Sequence, residues 1–478
     1  MDRSSPQRGR RVLALCLSVA AAALLVLCST PAVAAGAIQA AGATPTPSPT
    51  PVWVATTSGP GGGAAAGRVV VRDPQSGALY VAGDARVSAT VSEVMIVKYD
   101  AAGAQQWTAT YRHAGSGPQT AVDGALTKAG DFVVLCEVRG PRRGADWAVL
   151  EYTSSGTRKW ARTIAGAGAG NDVPGRLALS PSGAIYAAGA LFAAHHGLDA
   201  ALVKLTAAGK VVWKRTIAGP GRGADRFSAL GIDRTGRVFC AGTVASAGNR
   251  GADCLLSAYS PAGRRLWLVT WGGPAHRSDG VNDLVVTPGG RAFAVGFFGT
   301  KSGTCAMIRR YDAGGRFVWQ GRYRTEGGGR DQFVAAALLP HGDVVATGSF
   351  VSATTGNSNI VTIGFAAHGP SVWQQIWDTP HPPSGYSDDQ AEDVAVDATG
   401  RVFVCGYVSP GSATGTDFAV LGYTSAGDPI WSAPRTWDGG VGDDDAWALT
   451  PAPGGVVVTG QSWVLPGHFQ MATVELPY

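Results

Sequence analysis

Charge is scarce in this chain. Only 15% of its 478 residues are Asp, Glu, Lys or Arg, and histidine occurs 8 times. With 45% apolar residues, the composition excludes a solvated disordered chain. The net charge of +5 is concentrated at the N-terminus, where Arg3, Arg8, Arg10 and Arg11 outnumber Asp2. The remainder carries about +2, which does not describe a nucleic-acid binder. Cysteine is also sparse. Cys136, Cys240, Cys254, Cys305 and Cys405 lie beyond the first 35 residues, and their spacing fits no zinc pattern. They replace Ala, Val or Gly of other repeats, as small buried fillers do. Cys240 and Cys254 fall on adjacent strands of one unit, which leaves a disulfide between them open. No serine-nucleophile motif, phosphate loop or Cys/His pair is present.

Long apolar runs are missing except near the start. Val12–Cys28 follows the basic stretch Arg8–Arg11 and precedes Ala32-Val33-Ala34, an A-x-A-like cleavage site. Residues 1–35 therefore read as a signal peptide and the chain as secreted or held at the cell surface; an uncleaved anchor is the alternative. Residues 36–51 form a Thr/Pro-rich linker, with proline alternating from Pro45 to Pro51 as an extended spacer.

What is abundant is glycine, 68 residues, and a ladder of tryptophans. Trp53, Trp107, Trp160, Trp213, Trp267, Trp319, Trp373 and Trp431 are separated by 54, 53, 53, 54, 52, 54 and 58 residues. All but the first follow a glycine by four positions: Gly103, Gly156, Gly209, Gly263, Gly315, Gly369 and Gly427. Such a period means one supersecondary unit copied many times.

Each unit carries four short strand signals. In the unit beginning at Asp225, Phe227–Ile232 and Arg237–Gly242 flank a turn at Asp233-Arg234-Thr235-Gly236. Asp253–Tyr259 and Arg264–Thr270 flank a second turn at Ser260-Pro261-Ala262-Gly263. Eight sets of strands one to three can be counted, but strand four follows its own unit only seven times. The eighth copy is Val52–Thr57, ahead of the first unit. A spare strand at one end and a missing one at the other predict an all-β, eight-bladed β-propeller of four-stranded antiparallel blades over 52–478. The N-terminal strand completes the last blade. The tryptophans are then structural and sit between blades.

Stretches such as Asp393–Gly406 (DVAVDATGRVFVCG) and Asp417–Trp431 (DFAVLGYTSAGDPIW) resemble the SBBP β-propeller repeat of bacterial exported proteins. The resemblance covers residues 52 to 478 and implies the fold. It brings no established activity, and that family is usually seven-bladed. The Gly-x3-Trp element is also similar to the docking motif of eight-bladed quinoprotein-like propellers.

Eleven residues before the first-turn glycine, Asp172, Asp225, Asp279, Asp331, Asp389 and Asp444 recur, and Ala66 and Gln119 occupy the other two units. The propeller model gathers them into an acidic ring at the channel mouth. They bind a cation there or, as aspartates do in turns, cap backbone N–H groups. The entries to the last two blades are richer in acid, and Asp388, Asp389, Asp443, Asp444 and Asp445 are the candidate metal ligands, of a kind suited to calcium. No cofactor is otherwise expected.

These features favour a monomeric, non-enzymatic exported propeller. Its long loops, grouped on one face, would recognise a protein, glycan or cell-wall component, without nucleic acid and without a membrane beyond an N-terminal anchor. The alternative is a quinoprotein-like oxidoreductase, or another propeller enzyme, acting at the central channel.

Overall fold

The structure is a computed structural model. It describes residues 50–478 apart from 115–116, 140–143, 195, 222, 250, 326–328, 352–355, 380–387, 410–414, 441 and 466–467. The leader and nearly all of the spacer lie outside the described residues.

Four-stranded antiparallel sheets repeat eight times. Seven are built from consecutive strands, and the eighth orders Trp53–Thr57, His468–Pro477, Gly455–Leu465 and Asp444–Pro451. The first strand of each blade packs against the first strand of the next, so eight inner strands close a ring around a channel. In chain order these are Ala65–Arg72, Thr120–Leu126, Val173–Leu179, Arg226–Ile232, Gly280–Val286, Gln332–Leu338, Gln390–Val396 and Asp444–Pro451, taken here as blades 1 to 8. The chain is therefore an eight-bladed β-propeller. Its closure is a register: Trp53 pairs with Glu475, and Thr57 with Met471. The Trp53 indole also donates to Glu475 Oε2 at 2.6 Å.

Both faces of each second and third strand are apolar, because each faces a neighbouring blade. Val133 and Leu135 pack towards blade 3, while Phe132 and Val134 pack towards blade 1. Among the described residues the core is a set of eight wedges, each shared by two successive blades; one of them joins Val70 and Leu79 of blade 1 to Val457 and Met471 of blade 8. Such wedges bury apolar surface only when the ring is closed.

Each tryptophan reaches forward. Trp53, Trp107, Trp160, Trp213, Trp267 and Trp373 lie half-buried against Gly103, Gly156, Gly209, Gly263, Gly315 and Gly427 of the following blade. Trp107, Trp213, Trp267 and Trp373 also donate to a carbonyl of that same turn, at Ser154, Pro261, Ala313 and Ser425. Trp431 differs. The fourth strand of blade 7 is only Arg435–Trp437 and excludes it. Pro429 and Pro434 cannot donate to the ladder, and the interval to Trp431 is longer than the rest.

One further expectation is corrected, and the question of the Cys240–Cys254 pair is closed. Blade 1 has one more residue in its first turn, where Gly77 N–H closes on Asp73 C=O rather than three residues back. Its inner-strand bulge lies between Gly67 and Val69, so the counterpart of the recurring aspartate is Ala65, not Ala66. Cys240 pairs with Ser257, and Cys254 with Thr243. The two cysteines lie in different wedges and are free.

Candidate functional site

The six recurring aspartates are at most 3% exposed, so they do not line the channel as an open ring. Asp172 accepts from Gly166 N–H at 2.7 Å and Phe192 N–H at 2.6 Å. Asp225 accepts from Gly219 and Ala245, Asp279 from Gly273 and Gly299, and Asp331 from Thr325 and Val351. Asp389 takes Thr379 and Ser409, and Asp444 takes Gly439 and Trp463. The first donor of each pair lies where the chain leaves the preceding blade, and the second where strand two of its own blade ends. One carboxylate thus joins two blades. Gln119 makes half of this contact, accepting from His113 N–H. Burial raises the carboxyl pKa in all six, against the N–H bonds that lower it; Asp389 and Asp444 reach about 6.

The five candidate metal ligands do not converge. Asp388 holds Gln390, and Asp443 accepts from Thr416 N–H. Asp445 accepts from Thr416 Oγ1 and Gln461 Nε2, both at 2.9 Å. Asp389 and Asp444 are the buried blade staples already described. Asp444 does meet two other acids: its ligand atoms and those of Asp417 and Asp438 lie within 4.8 Å of one another. Burial first, then Asp438 and Asp444, lifts the Asp417 carboxyl to about 7. One of its oxygens is buried without a hydrogen-bond partner.

A second charged group stands on the channel wall itself. All eight inner strands carry a β-bulge at the same place, which re-aims the side chains beside it. Immediately after the bulge stand Val69, Asp123, Arg176, Ala229, Asp283, Ala335, Asp393 and Ala448. Small apolar residues stand there in blades 1, 4, 6 and 8, and blades 2, 3, 5 and 7 carry a charge instead.

The channel-facing edge of an inner strand has no strand to pair with, and the three carboxylates take up some of its N–H groups. Asp123 accepts from Gly124 and from Leu177 of blade 3 at 2.7 Å. Asp283 accepts from Ala336 of blade 6, and Asp393 from Val394 and from Leu449 of blade 8.

Arg176 is different in kind. Its guanidinium forms no hydrogen bond or ion pair within contact distance among the described residues. Burial acts to lower its pKa, yet Asp123, Asp283 and Asp393 together raise it. Those three carboxylates stand on blades 2, 5 and 7 at the same place after the bulge as Arg176 on blade 3, so the four charges share one level of the ring. Beside them Glu392, raised to about 7 by burial and then by Asp445 and Asp393, occupies the blade 7 bulge. Asp393 is raised to about 6 by burial. On the adjoining wall Arg68 stacks on Trp447, 3.8 Å from the ring centroid, and pairs with Asp84 at 3.4 Å.

Sequence inspection overlooked this set, although a signal existed. Four residues after each recurring acid comes Ala, unless it is Arg176, Asp283 or Asp393.

No family model and no curated protein matches the chain. Solved structures similar to it include Sqt1 from Chaetomium thermophilum, at 11% identity and TM-score 0.52, covering 87% of this chain and 96% of that one. The WD40 domain of SCAP from fission yeast aligns at 9% identity and TM-score 0.46, over 89% and 97%. Likeness at this identity shows the fold alone.

Proposed function

We propose that this chain is an exported, monomeric binding propeller of the SBBP type. The signal peptide is removed, the Thr/Pro spacer sets the ring away from the cell, and the loop-bearing face with the channel beneath it takes the ligand. The observation that carries this reading is the division of labour among acids. The recurring aspartates are consumed in joining blades, whereas the departures from the repeat gather on the channel wall. Recognition on a regular ring belongs where the copies differ.

The test uses residues 36–478 as a purified domain on a glycan array and in a cell-wall pull-down. Retention that is lost with Arg68→Ala and Glu392→Gln, at unchanged melting temperature, supports the reading. Retention untouched by both variants removes the channel mouth from it.

A second reading is favoured by Glu392 and Asp393, neighbouring carboxyls with pKa near 7 and 6. Such a pair has the acid–base capacity of a propeller enzyme acting at the channel. Turnover of any bound glycan that disappears with Glu392→Gln would replace binding by catalysis. Uptake of a quinone with calcium, seen in the absorption spectrum, would point instead to the oxidoreductase.

A further inference from the structure

The wall of the channel carries both signs of charge at one level. Asp123, Asp283 and Asp393 are anchored by backbone N–H groups, and a carboxylate so anchored still has lone pairs free. Arg176 stands among them with its N–H donors unused by any described residue. Attraction brings opposite charges into contact where the walls allow it. Here the strands hold them apart, and the space between must be filled by something polar.

The chemistry of that filling is constrained. An anion drawn to Arg176 would face three carboxylates, and a cation drawn to the carboxylates would face Arg176. A neutral hydroxyl suits both, since it accepts from a guanidinium and donates to a carboxylate. Several hydroxyls on one rigid frame would satisfy several walls at once, with the binding groups already in place.

We propose that the central channel, at the level of Asp123, Arg176, Asp283 and Asp393, is a binding site for a neutral, polyhydroxylated ligand, a saccharide. This rests on the binding function proposed above and names the class of ligand. Arg176 donates to ring or hydroxyl oxygens, and the three carboxylates accept from hydroxyl hydrogens. The wall at Trp447, covered by the Arg68 guanidinium, closes one flank.

The experiment is calorimetric titration of residues 36–478 with chitotriose and isomaltotriose as neutral probes, and with spermidine and citrate as charged ones. At least one trisaccharide binds in the millimolar range or tighter, on the order of Kd 1 mM. Arg176→Met weakens it by about tenfold or more, as loss of a charged donor does. Arg176 makes no hydrogen bond to the fold among the described residues, but its charge offsets Asp123 and Asp393. Arg176→Met is therefore expected to stay folded with a lowered melting temperature at neutral pH, and binding is compared well below that temperature. Asp283→Asn, which retains an acceptor for Ala336 N–H, provides a second folded variant and weakens binding less. Tighter binding of spermidine or citrate than of both sugars overturns the proposal, as does sugar binding unaffected by Arg176→Met. Absence of sugar binding also overturns it. A ligand that the glycan array or pull-down finds, but that binds Arg176→Met as wild type, leaves the binding function standing and removes the channel as its site.

Discussion

The indole of Trp107 lies on Gly156 of the next blade, so closely that a methyl group at Gly156 would stand 2.8 Å from the ring. Gly156 also has φ of +89°, a conformation that other residues adopt only with strain. Two independent costs therefore meet at one residue. Gly183 shares the second, at +82°, but has open space where its methyl would go. Gly183→Ala should cost about 1 kcal/mol, the backbone penalty alone. Gly156→Ala should cost about 2–4 kcal/mol, because the tryptophan must also move. Chemical denaturation of both variants measures the difference; equal losses would mean that the indole is not held against the glycine.

Closure rests on a strand far in sequence from its partner. Deleting 52–57 exposes the edge of His468–Pro477 and strips Trp53 from Gly103 and Glu475. A markedly lower melting temperature is expected, together with concentration-dependent association through the bare edge, read by light scattering. An unchanged melting temperature would be incompatible with this closure.

Trp431 stands at the seam. Its Nε1 is buried without a partner, since blade 8 borrows its fourth strand from the N-terminus and has no turn there to offer a carbonyl. Trp107 has such a partner at Ser154. Trp431→Phe should be near neutral, whereas Trp107→Phe should lose about 1 kcal/mol more, the net worth of a hydrogen bond. Parallel urea melts of the two variants decide it.

Asp417 and Asp444 make stability depend on pH. Their folded pKa values, about 7 and about 6, lie above the ordinary carboxylate value of about 4. Between about pH 4 and 7 the folded state therefore holds more protons than the unfolded one, and stability falls as pH rises through that window. Asp417→Asn removes much of this dependence and raises the melting temperature at pH 8. A steeper fall in the variant than in wild type would contradict the assigned shift.

Blade number, strand order and the N-terminal closing strand were legible because a copied unit announces itself. Gly156 and Trp107 recur in register whatever their contacts. One extra residue between Asp73 and Gly77 was enough to shift the alignment of blade 1, and only strand pairing placed Ala65 correctly. The recurring aspartates were visible too. Whether Asp279 faces a cation or the N–H groups of Gly273 and Gly299 depends on backbone brought together from two blades.

The channel set shows the boundary most clearly. Asp123, Arg176, Asp283 and Asp393 stand at a position that is small and apolar in the other four blades, and local pattern places each one on an inner strand. Their meeting is a property of the closed ring. Apolar wedges between every pair of blades bend a linear repeat into a circle, and the circle brings residues of blades 2, 3, 5 and 7 to one level. Repetition along the chain determined the shape. Long-range burial, which no single unit can achieve alone, decided which charges face one another.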